Sequence, residues 1–176
     1  MEADDVIAAL AFAANEPVDV VSGDRDLTQL VDDASARRLL YLGTGVGKHT
    51  VYDDALVRST YGVEPRQYAD LATLRGDPSD GIPGAAGIGA KTAATYLQKF
   101  GDLEGILAAA AMLTPPITRA KAETLLRDAD MLRATQRVVT LQSAPLAIPQ
   151  AHADNAALER LSERYGLASV LRRWNA

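Results

Sequence analysis

The 176-residue sequence contains no cysteine, which excludes disulfides and thiolate zinc sites and fits a reducing compartment. It also lacks a long apolar run: the longest, residues 6–14, is too short to span a bilayer. No succession of charged, apolar and small residues at the N-terminus reads as a signal peptide. These absences lead us to expect a soluble, cytoplasmic protein without a membrane partner. No Ser/His/Asp arrangement suggests nucleophilic catalysis, and His49 and His152 are expected at the surface. There is no internal repeat. Basic surplus is missing as well: the net charge of −5, taken alone, argues against nucleic acid. The position of the acids changes that reading. Of 23 acids, seven fall in three tight clusters, and the other 16 are outnumbered by 18 lysines and arginines.

Hydrophobic periodicity and breakers divide the chain. A helix is expected over 3–15, a strand over 18–22, a short helix over 26–31 and a second strand over 38–42, the alternation of a parallel α/β sheet. A further extended piece fits 50–52, and helices fit 53–61 and 65–74. Residues 76–89 are crowded with glycine and proline, which makes this loop the expected domain boundary. Beyond it the pattern is helical over 90–100, 103–111, 116–127 and 130–140. A proline-containing connector follows over 143–153, then closing helices over 155–165 and 167–174. The expected division is 1–80, an α/β catalytic part; 81–142, a helical binding part; and 143–176, a closing segment.

The first acidic cluster is Glu2, Asp4 and Asp5. Glu2 and Asp5 share a helix face, although acids in a first turn also complement the helix dipole. The second, Asp24 and Asp26, lies just past the C-terminal end of an expected strand, where open α/β sheets bind ligands; Asp24 also suits a helix N-cap. The third, Asp77 and Asp80, sits in Gly76-Asp77-Pro78-Ser79-Asp80-Gly81-Ile82-Pro83-Gly84, a stiff loop that aims both carboxylates, or an ordinary Asx-turn. Together they offer oxygen-only ligands suited to hard cations, Mg²⁺ or Mn²⁺. Two such ions can drive phosphodiester hydrolysis.

Directly after the third cluster comes Gly84-Ala85-Ala86-Gly87-Ile88-Gly89-Ala90-Lys91-Thr92. A glycine turn feeding a helix offers bare backbone N–H groups to an anion such as a phosphate. Gly84, Gly87, Ile88, Gly89, Lys91 and Thr92 are the candidate DNA-binding residues, and Lys91 would position DNA without reading its sequence.

These segments, in this order and spacing, resemble the signatures of the bacterial 5′→3′ exonuclease and flap endonuclease family, which includes the 5′-nuclease domain of DNA polymerase I. The resemblance implies an α/β, PIN-like core with an incomplete parallel sheet, followed by a helix–three-turn–helix DNA-binding region. It implies that Glu2, Asp4 and Asp5 serve mainly a first metal ion. Asp24 and Asp26 would bridge toward a second, which Asp77 and Asp80 complete. It also implies a monovalent cation, K⁺, at the hairpin. The expected activity is metal-dependent 5′→3′ exonuclease or structure-specific flap cleavage of DNA, with no small-molecule substrate. Family members carry about half a domain before the Glu-Ala-Asp-Asp segment, including a strand and an arch with phosphate-handling cations, and nothing here matches it. The resemblance therefore implies the C-terminal part of the nuclease, with residues 18–22 paired on one side only. The alternative expectation is a DNA-holding remnant that does not cut.

Overall fold

The computed structural model describes residues 2–43, 45–142 and 154–169. Three short strands organise its first third: β1 (Val18–Ser22), β2 (Arg37–Tyr41) and β3 (Thr50–Tyr52). Val20, Leu39 and Tyr52 stand opposite one another across the sheet and are all buried. The next row, Val21, Leu40 and Val51, faces the other way, with Val21 60% and Val51 39% exposed. A strand's period of two thus yields a sheet with one buried face. Helix α1 (Ala3–Ala13) joins the buried side, where Ala8 and Ala11 share a core with Leu27, Leu30, Val31 and Val57. Among the described strands, β1 is hydrogen-bonded to β2 alone, as expected.

The sheet is not wholly parallel, as the alternation had suggested. β1 and β2 run parallel, but β3 pairs antiparallel to β2. The stretch between Tyr41 and Thr50 is too short for the crossover a parallel return requires, roughly a dozen residues or more. The short helix after β1 is a 3₁₀ turn, Asp26–Leu30, which buries Leu27, Thr28 and Leu30.

The remaining elements are helices: α2 (Asp54–Tyr61), α3 (Tyr68–Arg75), α4 (Ala90–Phe100), α5 (Leu103–Ala111), α6 (Arg119–Arg127), α7 (Ala129–Val139) and α8 (Asn155–Tyr165). Asp53 caps α2 by accepting the Leu56 N–H at 2.7 Å, and Gly62, at φ 72°, ends it. A 3₁₀ turn, Pro65–Gln67, leads into α3. α6 begins later than periodicity suggests, with Thr118 in extended backbone (φ −79°, ψ 158°) at its N-cap. The expected connector over 143–153 lies outside the described residues, as does most of the expected helix over 167–174. Among the described residues, no helix is long and apolar enough to cross a membrane.

Helix α3 is buried from Tyr68 to Leu74, with Asp70 and Thr73 buried among its apolar residues, and it forms the centre of the second core. That core starts at Val63, so the glycine-rich loop at 76–89 lies within the helical body, and the two cores part near Gly62. The Gln29 side chain ties them. Its amide donates to the Val139 carbonyl (3.0 Å) and accepts from the Leu141 N–H (3.2 Å).

Asp70 is the buried carboxylate of α3. Burial pushes its pKa up, while the Gln136 amide of α7, which donates to it, and the backbone at Leu103 pull the other way. Removing one donor leaves a buried anion short of a partner. Gln136→Leu is therefore expected to destabilise the protein by ~1–3 kcal/mol in urea unfolding at pH 7. A change below about 0.5 kcal/mol, the scale of an ordinary surface substitution, would show that water replaces the amide.

Candidate metal centre and nucleic-acid interface

Two short-range devices aim the acids. At the end of β1, Ser22 Oγ accepts the Asp24 N–H (3.0 Å), and Asp24 Oδ1 accepts the Asp26 N–H (2.9 Å). These consecutive side-chain-to-backbone turns hold Asp24 and Asp26 at the strand's C-terminal end. The second device is the loop after α3. Asp77 and Ile82 exchange backbone hydrogen bonds of 2.9 and 2.8 Å around the 3₁₀ turn Pro78–Asp80. Gly76 (φ 78°) and Gly84 (φ 68°) then meet backbone to backbone: a Cβ on Gly84 would lie 2.5 Å from Gly76 N. The loop closes only because neither residue has a side chain.

The second and third clusters converge. Gly23, Asp24, Arg25, Asp26, Tyr41, Asp77 and Asp80 line one cleft of about 410 Å³. Asp26 is the most affected: burial first, then the charges of Asp24, Asp80 and Asp77, push its pKa up to about 6, against the pull of Arg75. The first cluster reaches this cleft through one member. Asp4 is raised by burial and then by Asp24, Glu2 and Asp5. Asp5 is committed elsewhere. Its Oδ2 accepts the Glu2 N–H (3.1 Å) and its Oδ1 the Gln142 N–H (2.9 Å), and these donors hold its pKa low. Among the described residues, no three acidic or histidine side chains stand close enough together to hold a metal ion as arranged. The clusters share one electrostatic field rather than an assembled ligand set. The donor chemistry nevertheless fits a hard divalent cation. The donors are all carboxylate oxygens in a polar cleft, and burial together with the neighbouring carboxylates raises the pKa of one of them, Asp26, to about 6.

The glycine turn leads into α4 as expected, with Gly89 in the N-cap position and Lys91 and Thr92 in the first turn. No atom lies within 4 Å of where a Cβ on Gly87 or Gly89 would be, so the backbone there is open to an approaching strand. The first-turn N–H groups of a helix lack intrahelical partners. Gly84 and Ile88 do not share this surface. Gly84 is buried against Arg75 and Gly76, and Ile88 is 3% exposed, with its N–H bonded to the Ala85 carbonyl. They fold the turn rather than line it. Lys121 of α6 adds a cation, its Nζ 3.5 Å from Thr92 Oγ1 and 5.9 Å from the Tyr96 ring centre.

Sequence reasoning passed over three residues at this site: Arg25, Tyr41 and Arg75. Arg75 links cleft to turn. It lies 3.7 Å from Asp77, donates to the Tyr68 hydroxyl (3.3 Å), and shares with Lys91 the wall of a neighbouring groove of about 440 Å³. The signal was present in Asp24-Arg25-Asp26 and Arg75-Gly76-Asp77, where arginine is set directly among the acids.

Comparison with known proteins covers nearly the whole chain. Residues 1–62 match the model of the 5′-3′ exonuclease N-terminal resolvase-like domain, and residues 63–161 that of the 5′-3′ exonuclease C-terminal SAM fold. A 5′-3′ exonuclease of Streptomyces coelicolor is 48% identical over 178 residues, covering 98% of this chain and 59% of the relative. DNA polymerase I of Mycobacterium leprae is 48% identical over 109 residues, 60% of this chain and 12% of the polymerase. A bacteriophage T5 flap endonuclease, solved with DNA and metal ions, superposes with a TM-score of 0.65 at 23% identity, over 80% of this chain and 50% of its own; that likeness is one of fold. The chain thus spans about three-fifths of the length of its full-coverage exonuclease relative.

The raised pKa of Asp26 has a definite sign. Its carboxyl is easier to keep neutral folded than unfolded, so its stabilising contribution is present below pH 3.8 and lost as pH climbs through about 6. In EDTA, the melting temperature is expected to fall over this window more steeply for the wild type than for Asp26→Asn. Parallel profiles for the two proteins would mean that Asp26 is not under this strain.

Proposed function

The chain belongs to the 5′-3′ exonuclease family, and from that premise we propose that it forms the metal-binding and DNA-gripping part of a 5′→3′ nuclease acting on flapped or 5′-ended duplex DNA. The observation that carries this reading is the position of Arg75, which stands 3.7 Å from Asp77 of the carboxylate cleft and, with Lys91, lines the groove beside the glycine turn. A strand held at the turn by its phosphates therefore runs toward the acids.

Asp24, Asp26, Asp77 and Asp80, with Asp4 and Glu2 in the same electrostatic field, are the residues that would hold two Mg²⁺ or Mn²⁺ ions. Such ions supply Lewis acidity toward a phosphodiester and a lowered pKa for water. The protein's own groups do the rest. Asp24 fixes the backbone of its turn through the Asp26 N–H, so both side chains stay aimed into the cleft. Asp5 anchors the start of α1 to Gln142 and thereby sets where Asp4 stands. Gly87 and Gly89 leave backbone bare for a phosphate, and Lys91, Thr92 and Lys121 surround it with donors. Contacts of this kind are indifferent to base sequence. A K⁺ ion on the turn's carbonyls would complete the grip. In this division of labour, residues 1–80 carry the metal acids and residues 81–142 grip the duplex. On this reading the protein would meet its DNA in the cytoplasm.

Mn²⁺ is expected to raise the melting temperature by mass action on the folded state, and Asp24→Asn to blunt that rise. DNA affinity is expected to drop steeply with salt, and Lys91→Ala to reduce the magnitude of the log–log slope by about one. Mn²⁺-dependent release of nucleotides from a labelled 5′-flap substrate tests the nuclease itself. A chain that binds DNA and Mn²⁺ but releases nothing would be a holding module, and one that binds neither would overturn the reading.

A further inference from the structure

Arg25 sits between two acids in sequence and lines a cleft with two more, yet among the described residues it makes no ion pair. The other arginine at this cleft is committed. Arg75 lies over the Tyr68 ring (5.6 Å), donates to its hydroxyl and stands beside Asp77. The guanidinium of Arg25 instead lies beside the Tyr41 hydroxyl, on the lining of the same cleft. The nearby acids do not capture it, and one Asp24 oxygen is already engaged by the Asp26 N–H.

Tyr41 is itself held. Its ring stands edge-on to Tyr52 (6.1 Å), Tyr52 stacks on Tyr61 (6.0 Å), and Tyr61 meets the buried Tyr68 edge-on (5.0 Å). This row of four rings crosses from β2 through β3 and α2 to α3, giving Arg25 a fixed anchor beneath the cleft. Arginine carries five N–H donors in a planar fork, and one phenol oxygen cannot use them all. The fork matches two oxygens of a phosphate.

We propose that Arg25 is a phosphate contact for the strand lying in the carboxylate cleft, and that Tyr41 is the positioning residue that keeps its guanidinium turned away from the acids. The proposal rests on the nuclease reading above. A phosphodiester entering this cleft meets Asp24, Asp26, Asp77 and Asp80, so it needs positive charge beyond that of any bound ions. Among the described residues, Arg25 is the exposed cation on the cleft lining that makes no ion pair.

The test uses the full chain and a fluorescein-labelled 5′-flap DNA, with Ca²⁺ as the oxygen-seeking ion in place of Mg²⁺. Anisotropy is followed across a salt series, and Mn²⁺ affinity is measured separately. Arg25→Gln should weaken DNA binding and reduce the magnitude of the salt slope by about one, with Mn²⁺ affinity unchanged or tighter. Arg25→Lys should restore the slope without the full affinity. Tyr41→Phe should lower affinity with the slope intact, because the charge remains and only its aim is lost. If Arg25→Gln binds DNA like the wild type while Lys91→Ala binds weakly, the proposal is overturned and the DNA reading stands. If Arg25→Gln loses Mn²⁺ and DNA together, Arg25 serves the acids rather than the phosphate, and the proposal fails. If the wild type binds no DNA, the functional reading falls and this proposal falls with it.

Discussion

The site depends on the backbone contact between Gly76 and Gly84. A methyl group at either position would collide with main-chain atoms of the other strand of the loop. Because the two glycines touch, the intervening residues fold back into the Asp77–Ile82 bridge, and the chain leaves the loop beside the helix it came from. Two consequences follow from one contact. Asp77 and Asp80 are presented to the end of β1, and the glycine turn begins directly behind them. The acids and the glycine turn at the start of α4 are thereby held in fixed relation.

Against that rigid loop the fold gathers like charges, and the molecule shows how they are tolerated. Asp24 and Asp80 are exposed, so water screens them. Asp26 is partly buried and carries the strain. Arg75 offsets part of the field from beneath, its charge spread over the Tyr68 ring and the Asp77 carboxylate. Asp5, which would add a further charge, is turned instead to backbone N–H groups at Glu2 and Gln142. A protein selected for stability alone would not keep this arrangement, since an apolar residue in place of Asp26 would relieve it.

Much of this was legible in sequence because it is local. β1, β3, α4 and α5 fall where hydrophobic runs and breakers place them, and the acidic motifs were visible by type and spacing alone. What escaped was set by tertiary contact. Strand direction depends on connection length, so β3 reversed the expected parallel order. The glycine-rich loop looked like a boundary because glycine and proline mark loops, but burial of α3 with α4 and α7 places it inside a body. Gly84 and Ile88 belong to the turn's motif, yet only burial reveals that one closes the loop and the other anchors it. The roles of Arg25 and Tyr41 depend on a tyrosine row spread across four elements, a pattern with no sequence period.

The Gln29 amide has a bearing on the order of assembly. It joins residues 110 and 112 positions apart, and the Asp5–Gln142 bond spans 137. Closing loops of that length in an extended chain is entropically unfavourable, and it becomes less so once α2 through α7 have shortened the path. The helical body is therefore the part able to form first, and the β1 end of the molecule is registered onto it afterwards.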